Sequence, residues 1–158
     1  MVVSGGEPTL QQNLEAFIRQ VREMDYLVKL DTNGTKPQVL KQLLGKGLLD
    51  YVAMDVKAPM GQYAAIAGAA VDTDALIKSI AILRNSGVAH EFRLTFAPQL
   101  TVEDAVEAAL PVKGCERFYL QQYRPRDDRD PAAHLPSTVT EAAERIREAI
   151  GVCTLRGL

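Results

Sequence analysis

Cysteine is nearly absent from this chain: two occur in 158 residues, Cys115 and Cys153. Two are too few for a disulfide framework, and they stand too far apart for any metal-site spacing, so both read as free, largely buried thiols. Histidine is as scarce. His90 and His134 have no cysteine or carboxylate at ligand spacing, which leaves them surface or turn roles. Charge of one sign is also missing. Eighteen Lys and Arg face 20 Asp and Glu, a formal net charge of −2 with no basic patch, so nothing argues for nucleic acid or a membrane surface as partner. No apolar run approaches the roughly 18 residues that span a bilayer, and residues 1–20 lack a basic start followed by an apolar stretch. The expected location is cytoplasmic.

What is present is a composition able to fold, 47% apolar and 24% charged, in a length suited to one domain. Apolar strand-like runs alternate with helical patterns throughout. Val2–Ser4 reads as the end of a strand, followed by Leu10, Leu14, Phe17, Ile18 and Val21 at helical spacing. Tyr26–Asp31 is the next strand, "TNGTKP" its turn, and a helix from Pro37 presents Val39, Leu40, Leu43 and Leu44, with Thr35 as its candidate cap and Gly47 beyond its end. Leu49–Val56 is a third strand, continuous enough in apolar residues to be covered on both faces. A loop over residues 57–72 leads to a helix at 73–85, a strand at 91–97 and a helix at 102–110 with Thr101 and Asp104 as a capping pair. A strand at 117–123, the loop "RPRDDRDPAAHLP", a helix at 138–150 and a terminal strand in "VCTLRG" complete the series.

Strands joined through helices run parallel. Five clear strands are too few for a closed eight-stranded barrel, which leaves a partial (β/α) barrel or an open doubly wound sheet. No composition shift marks a second domain. In either fold the strands' C-terminal ends gather on one rim, where such proteins keep their sites.

The residues after each strand are unusually polar. The first strand runs into Ser4-Gly5-Gly6-Glu7-Pro8, the second into Asp31-Thr32-Asn33-Gly34, the third into Asp55 and Lys57, the fourth carries Arg93 and the fifth Gln121. In "SGGEP" two glycines let the backbone approach a ligand closely, Glu7 offers an acceptor to a cation or ammonium, and Pro8 stiffens the exit; a tight turn with a helix-start acid is the plainer alternative. The loop lacks the Lys-Ser/Thr of a phosphate loop and the third glycine of a dinucleotide fingerprint. Asp31, Thr32 and Asp55 would suit a hard cation or a coupled carboxylate pair, while "TNGT" alone is a strong turn signal and Asp55 with Lys57 alone an ion pair. Lys57 also suits barrel decarboxylase chemistry, but the acid needed three residues on is Met60.

Taken in order, "SGGEPTLQ", "LDTNGT", "MDVKAP", "EFRLTFAP" and "FYLQQYRP" resemble the radical S-adenosylmethionine (SAM) superfamily. Within it they resemble the activating enzymes of glycyl-radical proteins, most closely that of anaerobic ribonucleotide reductase. The resemblance implies an α/β partial barrel incomplete at its N-terminus, a single core over 1–158 lacking its first β/α unit. It implies that Ser4, Gly5, Gly6, Glu7 and Pro8 hold the amino group of SAM, and that Asp31, Thr32, Asn33, Asp55 and Lys57 surround its carboxylate. Arg93 and Gln121 would contact cofactor or substrate peptide. A monovalent-cation site is implied at Asp31, Thr32, Asp55 and the carbonyl of Ala53. The implied activity is hydrogen abstraction from a glycine of the partner enzyme by a 5′-deoxyadenosyl radical, with a 4Fe-4S cluster and a reductant such as flavodoxin or ferredoxin.

One departure stands beside the match. The family's cluster sits in a C-x-x-x-C-x-x-C loop preceding "GGEP", and this chain contains no such loop; Cys115 and Cys153 lie at the wrong places to replace it. The expectation is therefore a start placed inside a longer reading frame, with no iron–sulfur ligands in this chain. A non-catalytic relative that binds cofactor or partner is the alternative, and an unrelated β/α sugar or phosphate enzyme the third reading. An uncovered edge on the first strand further predicts self-association.

Overall fold

The computed structural model describes residues 1–68 and 70–158; Ala69, in the segment read as a loop, lies outside them. The chain forms two compact units, one of residues 1–55 and 72–91, the other of 56–71 and 92–158.

The first unit holds three parallel strands, β1 (Val2–Val3), β2 (Lys29–Thr32) and β3 (Tyr51–Asp55), in that order. Helices α1 (Leu14–Glu23), α2 (Pro37–Gly45) and α4 (Thr73–Arg84) belong to it. The alternating direction of strand side chains divides its residues cleanly. Leu30, Thr32, Val52 and Met54 are buried, as are Leu14, Ile18, Leu40, Leu43, Leu76, Ile80 and Leu83 at helical spacing. Lys29, Asp31, Tyr51 and Asp55 alternate with the first set and stay half-buried.

Several boundaries differ from the sequence reading for local reasons. Pro8–Leu10 forms a short 3-10 turn and the helix starts only at Leu14, so Leu10 stands outside it and is exposed; Phe17, at the margin of the face that Leu14, Ile18 and Val21 bury, is exposed as well. Tyr26 and Leu27 precede β2 and are exposed. Thr35 does not cap α2: its amide and hydroxyl both donate to Asn33 Oδ1, at 3.0 and 2.7 Å, and Lys36 occupies the cap position before Pro37. Gly47, just past α2, has the expected positive φ of 63°.

The second unit holds α3 (Tyr63–Ala67) and the parallel series β4 (Ala89–Phe96, of which 92–96 lie here), β5 (Phe118–Gln122) and β6 (Thr154–Arg156). Its helices are α5 (Val102–Ala109) and α6 (Pro136–Ile150), with the Thr101–Asp104 capping box formed as expected. Buried Ala105, Ala108, Ala142 and Ala143 let α5 and α6 pack closely, and Phe92, Phe96 and Phe118 fill the core. The segment read as a loop after β3 contains a 3-10 turn at Met60–Gln62 and α3, pinned where Tyr63 Oη accepts from Lys57 N at 3.1 Å. The fold is α/β with parallel strands throughout.

Candidate functional site

In the first unit the turn after β1 and the turn after β2 meet at one carboxylate. Glu7 is 8% exposed and its Oε1 accepts from Thr9 N at 3.1 Å, Thr9 Oγ1 at 2.5 Å and Thr32 Oγ1 at 2.8 Å. Its Oε2 accepts from Asn33 N at 2.6 Å. Three donors crowd one oxygen and a fourth reaches the other, so most of the carboxylate's acceptor capacity is used inside the protein. The sequence reading of Glu7 as an acceptor for a ligand cation overlooks this use. The bonds from Thr9 are those of the helix-start acid, the plainer reading of the loop, whereas the bond from Thr32 carries no local signal, because it joins positions 25 apart.

What the loop offers a ligand is backbone. Gly5 and Gly6 have φ of +103° and +48°, and a Cβ built on either meets nothing within 4 Å. They are glycines because the turn needs left-handed backbone, with open space on the side where a side chain would stand. A group seeking close backbone contact fits that cradle. Pro8 continues the chain into its 3-10 turn, and Ser4 lies exposed at the end of β1.

Asp31, Ala53 and Asp55 lie on the opposite side of their strands from Thr32. Asp31 is in register with Ala53 on the neighbouring strand, and Asp55 follows two residues later on the same face. The Thr32 hydroxyl is committed to Glu7 and to Gly34 N, which donates to it at 3.1 Å. Side-chain oxygens of Asp31 and Thr32 are therefore held on different faces. Among the described residues, no cluster of three or more His, Cys, Asp or Glu could hold a metal ion.

A charged group unforeseen from sequence shares the Asp31 face. Lys29 Nζ lies 3.5 Å from Asp31 Oδ1 and 3.7 Å from Glu91 Oε1, and Tyr51 Oη donates to Glu91 Oε2 at 2.8 Å. Glu91 is only 3% exposed. Lys29→Met removes a cation from between two carboxylates. A fully buried broken pair costs roughly 3–5 kcal/mol; Lys29 is partly exposed, so about 2 kcal/mol is expected. Urea unfolding at neutral pH measures it, and adding Glu91→Gln is expected to recover part of the loss.

In the second unit, Val56 N donates to Arg93 O at 2.8 Å, which sets Lys57 beside β4. Arg93 is in register with Tyr119, and Gln121 follows on the same face in register with Arg156, whose guanidinium stacks 3.3 Å from the Tyr119 ring centroid. Lys57, Arg93 and Gln121 thus lie near neighbouring strand positions. His134 has a fuller role than a turn: its ring stacks on Phe96 at 4.0 Å, its Nε2 donates to Ala97 O at 3.1 Å, and its carbonyl accepts from Gln122 Nε2 at 2.9 Å. It fastens the 124–135 loop to β4 and β5. Within that loop Arg126 and the backbone hold the Asp130 carboxyl down at about 2, so their pairing persists at neutral pH and loosens only as pH falls from about 4 towards that value.

Cys115 and Cys153 are both buried and stand before β5 and β6, at the N-terminal ends of those strands. Burial pushes the Cys153 thiol up to about 11. A cluster is held by several cysteine thiolates, and this chain has two cysteines with no third metal-ligating group beside them among the described residues, so these two do not fit one. Two clefts lie in the first unit, one of about 460 Å³ lined by Lys41, Leu44 and Ile82, the other of about 450 Å³ lined by Gln11, Lys36 and Gln42 and reaching Thr9, the residue that donates to Glu7. No helix among the described residues is long and apolar enough to cross a membrane.

Known proteins share both the sequence pattern and the fold. The Radical SAM superfamily profile matches residues 1–110. A Methanocaldococcus jannaschii protein provisionally named a glycyl-radical enzyme activating enzyme is 38% identical over 136 residues, covering 82% of this chain and 57% of that protein. This chain therefore spans little more than half of that relative's length. A domain of the pyruvate-formate lyase-activating enzyme of Bacteroides vulgatus superimposes with a TM-score of 0.79 at 13% identity, covering 99% of this chain and 98% of that one. SuiB of Streptococcus suis, solved bound to S-adenosylmethionine, superimposes at 0.74 with 14% identity, over 99% of this chain and 39% of its own. At such identities the structures establish the fold, and the matched profile, which covers both loops joined by Glu7, establishes the lineage: this chain belongs to the radical SAM superfamily.

Proposed function

We propose that the chain, read over 1–158 as one core, binds SAM and serves a radical SAM enzyme that activates a glycyl-radical enzyme. The observation that carries this is the 38% identical relative of that name. The open, left-handed Gly5-Gly6 turn supports it chemically, because the ammonium of SAM needs acceptors at close backbone range. Ser4–Pro8 would hold the amino group, and Asp31, Asn33, Asp55 and Lys57 would surround the carboxylate, with Arg93 and Gln121 facing adenosine or the substrate peptide. Asp31, Thr32, Asp55 and the Ala53 carbonyl remain the proposed set for a monovalent cation; with its hydroxyl committed to Glu7, Thr32 would contribute through its backbone carbonyl.

Family members use a 4Fe-4S cluster to cleave SAM reductively. The cysteines of this chain do not fit that cluster, and no reductive step is assigned to its residues. Their part is to bind and orient the cofactor. The same misfit favours a second reading, a relative that binds cofactor or partner without radical chemistry. Anaerobic reconstitution with iron and sulfide, followed by assay for 5′-deoxyadenosine, separates the two.

The partner we favour is an anaerobic ribonucleotide reductase, with flavodoxin or ferredoxin as electron donor to the working enzyme, on the five ordered strand-end motifs. Biolayer interferometry with SAM present, comparing an anaerobic reductase with a pyruvate formate-lyase, tests it. Preference for the reductase is expected; preference for the lyase, or binding to neither, would contradict the assignment.

A further inference from the structure

We propose that Ser79, on α4, is a positioning residue for the SAM loop and acts through a hydrogen-bonded relay of Ser79, Gly34, Thr32 and Glu7. The inference rests on the cofactor reading of Ser4–Pro8 and identifies the element that fixes where that loop stands.

Ser79 is fully buried, and its hydroxyl donates across 45 positions to the carbonyl of Gly34 at 2.6 Å. A helical serine commonly bonds back to its own helix, so a hydroxyl directed to another segment is a specific use. On the other side of the same residue, Gly34 N donates to Thr32 Oγ1 at 3.1 Å, and Thr32 Oγ1 donates on to Glu7 Oε1 at 2.8 Å. Each hydroxyl gives one proton, so the order of donation runs without conflict from helix to carboxylate. Asn33 N adds a parallel bond to Glu7 Oε2 at 2.6 Å. Two of the four donors that hold Glu7 therefore sit on the turn that Ser79 fixes.

Packing makes the relay directional. Gly34 has φ of +75°, and a Cβ there would stand 2.2 Å from Met54 Cε and 3.4 Å from Ser79 Cβ. The turn lies flush against β3 and α4 and has one place to sit. Buried polar networks that are fully satisfied hold a single geometry, and those missing a member lose it. Without the Ser79 hydroxyl the Gly34 carbonyl loses a buried donor; the turn shifts to recover one, and Glu7 and the Gly5-Gly6 backbone shift with it.

The test compares Ser79→Ala with Ile80→Val, a packing change on the same helix outside the relay. Two quantities are read on the full chain: amide exchange at Asn33 and Gly34 by NMR without ligand, and SAM affinity by calorimetry. In Ser79→Ala both amides are expected to exchange about tenfold faster and SAM to bind about tenfold more weakly, the consequence of one lost buried hydrogen bond. Ile80→Val is expected to match the wild type in both, and Ser79→Ala added to Glu7→Gln to weaken binding little further. Wild-type-like SAM affinity in Ser79→Ala, or unchanged exchange at both amides, overturns the role of Ser79 while leaving the cofactor reading standing. Failure of the wild type to bind SAM at millimolar concentration overturns the cofactor reading, and the positioning role with it.

Discussion

Replacing Gly34 by alanine is expected to lower the unfolding free energy by roughly 2–4 kcal/mol, the sum of a left-handed backbone cost and an overpacking cost. The first term follows from φ of +75°, which an L side chain rarely adopts. The second follows from Met54, whose Sδ and Cε would lie 2.9 and 2.2 Å from the new Cβ and whose side chain is 1% exposed, with little room to withdraw. For a chain of this size each kcal/mol moves the melting temperature by about 2–4 °C, so a fall of about 5–15 °C is predicted by calorimetry. The terms separate in a double-mutant cycle. In a Met54→Ala background the overpacking disappears and only the backbone cost remains, giving a coupling of about 1 kcal/mol or more.

Replacing Glu7 by glutamine is expected to cost roughly 2–3 kcal/mol of stability and to weaken SAM binding at least about tenfold. The substitution keeps shape and size, but every group facing the carboxylate is a donor: Thr9 N, Thr9 Oγ1, Thr32 Oγ1 and Asn33 N. An amide must turn its own N–H₂ towards one of them. The favoured placement sets it against Asn33 N, leaving a backbone N–H without its charged acceptor. Glu7→Asp retains the charge but is one methylene short of spanning both turns, and is expected to fall between wild type and glutamine. Denaturant unfolding and calorimetric titration of the three proteins measure the series.

These two residues show what a sequence can and cannot disclose. The alternation of strands and helices was legible because periodicity and turn chemistry are local: Asp104 lies three residues from Thr101, and Gly47 follows its helix directly. The candidate residues stand out as a set because loops after parallel strands gather where ligands bind, and each strand end here carries a polar run. The direction in which those groups are spent was not legible. Glu7 reads as a ligand acceptor, and only the fold shows that Thr32 and Asn33 also donate to it; likewise only the fold sets Ser79 against the carbonyl of Gly34. Lys29 and Glu91, 62 positions apart, are joined only by the strand order. Leu10 and Phe17 fit the helical spacing, yet both are exposed. The 3-10 turn at Pro8 places Leu10 outside the helix, and Phe17 lies at the margin of the face that Leu14, Ile18 and Val21 bury.

Ser4–Pro8, held through Glu7 to the turn after β2, is the loop proposed to bind SAM. Titration of SAM into the wild-type chain and into Glu7→Gln by isothermal calorimetry tests it most directly. Saturable one-to-one binding by the wild type is expected, with an affinity at least about tenfold weaker in the variant. Absence of binding by the wild type at millimolar SAM, or equal affinity in the two proteins, would contradict it.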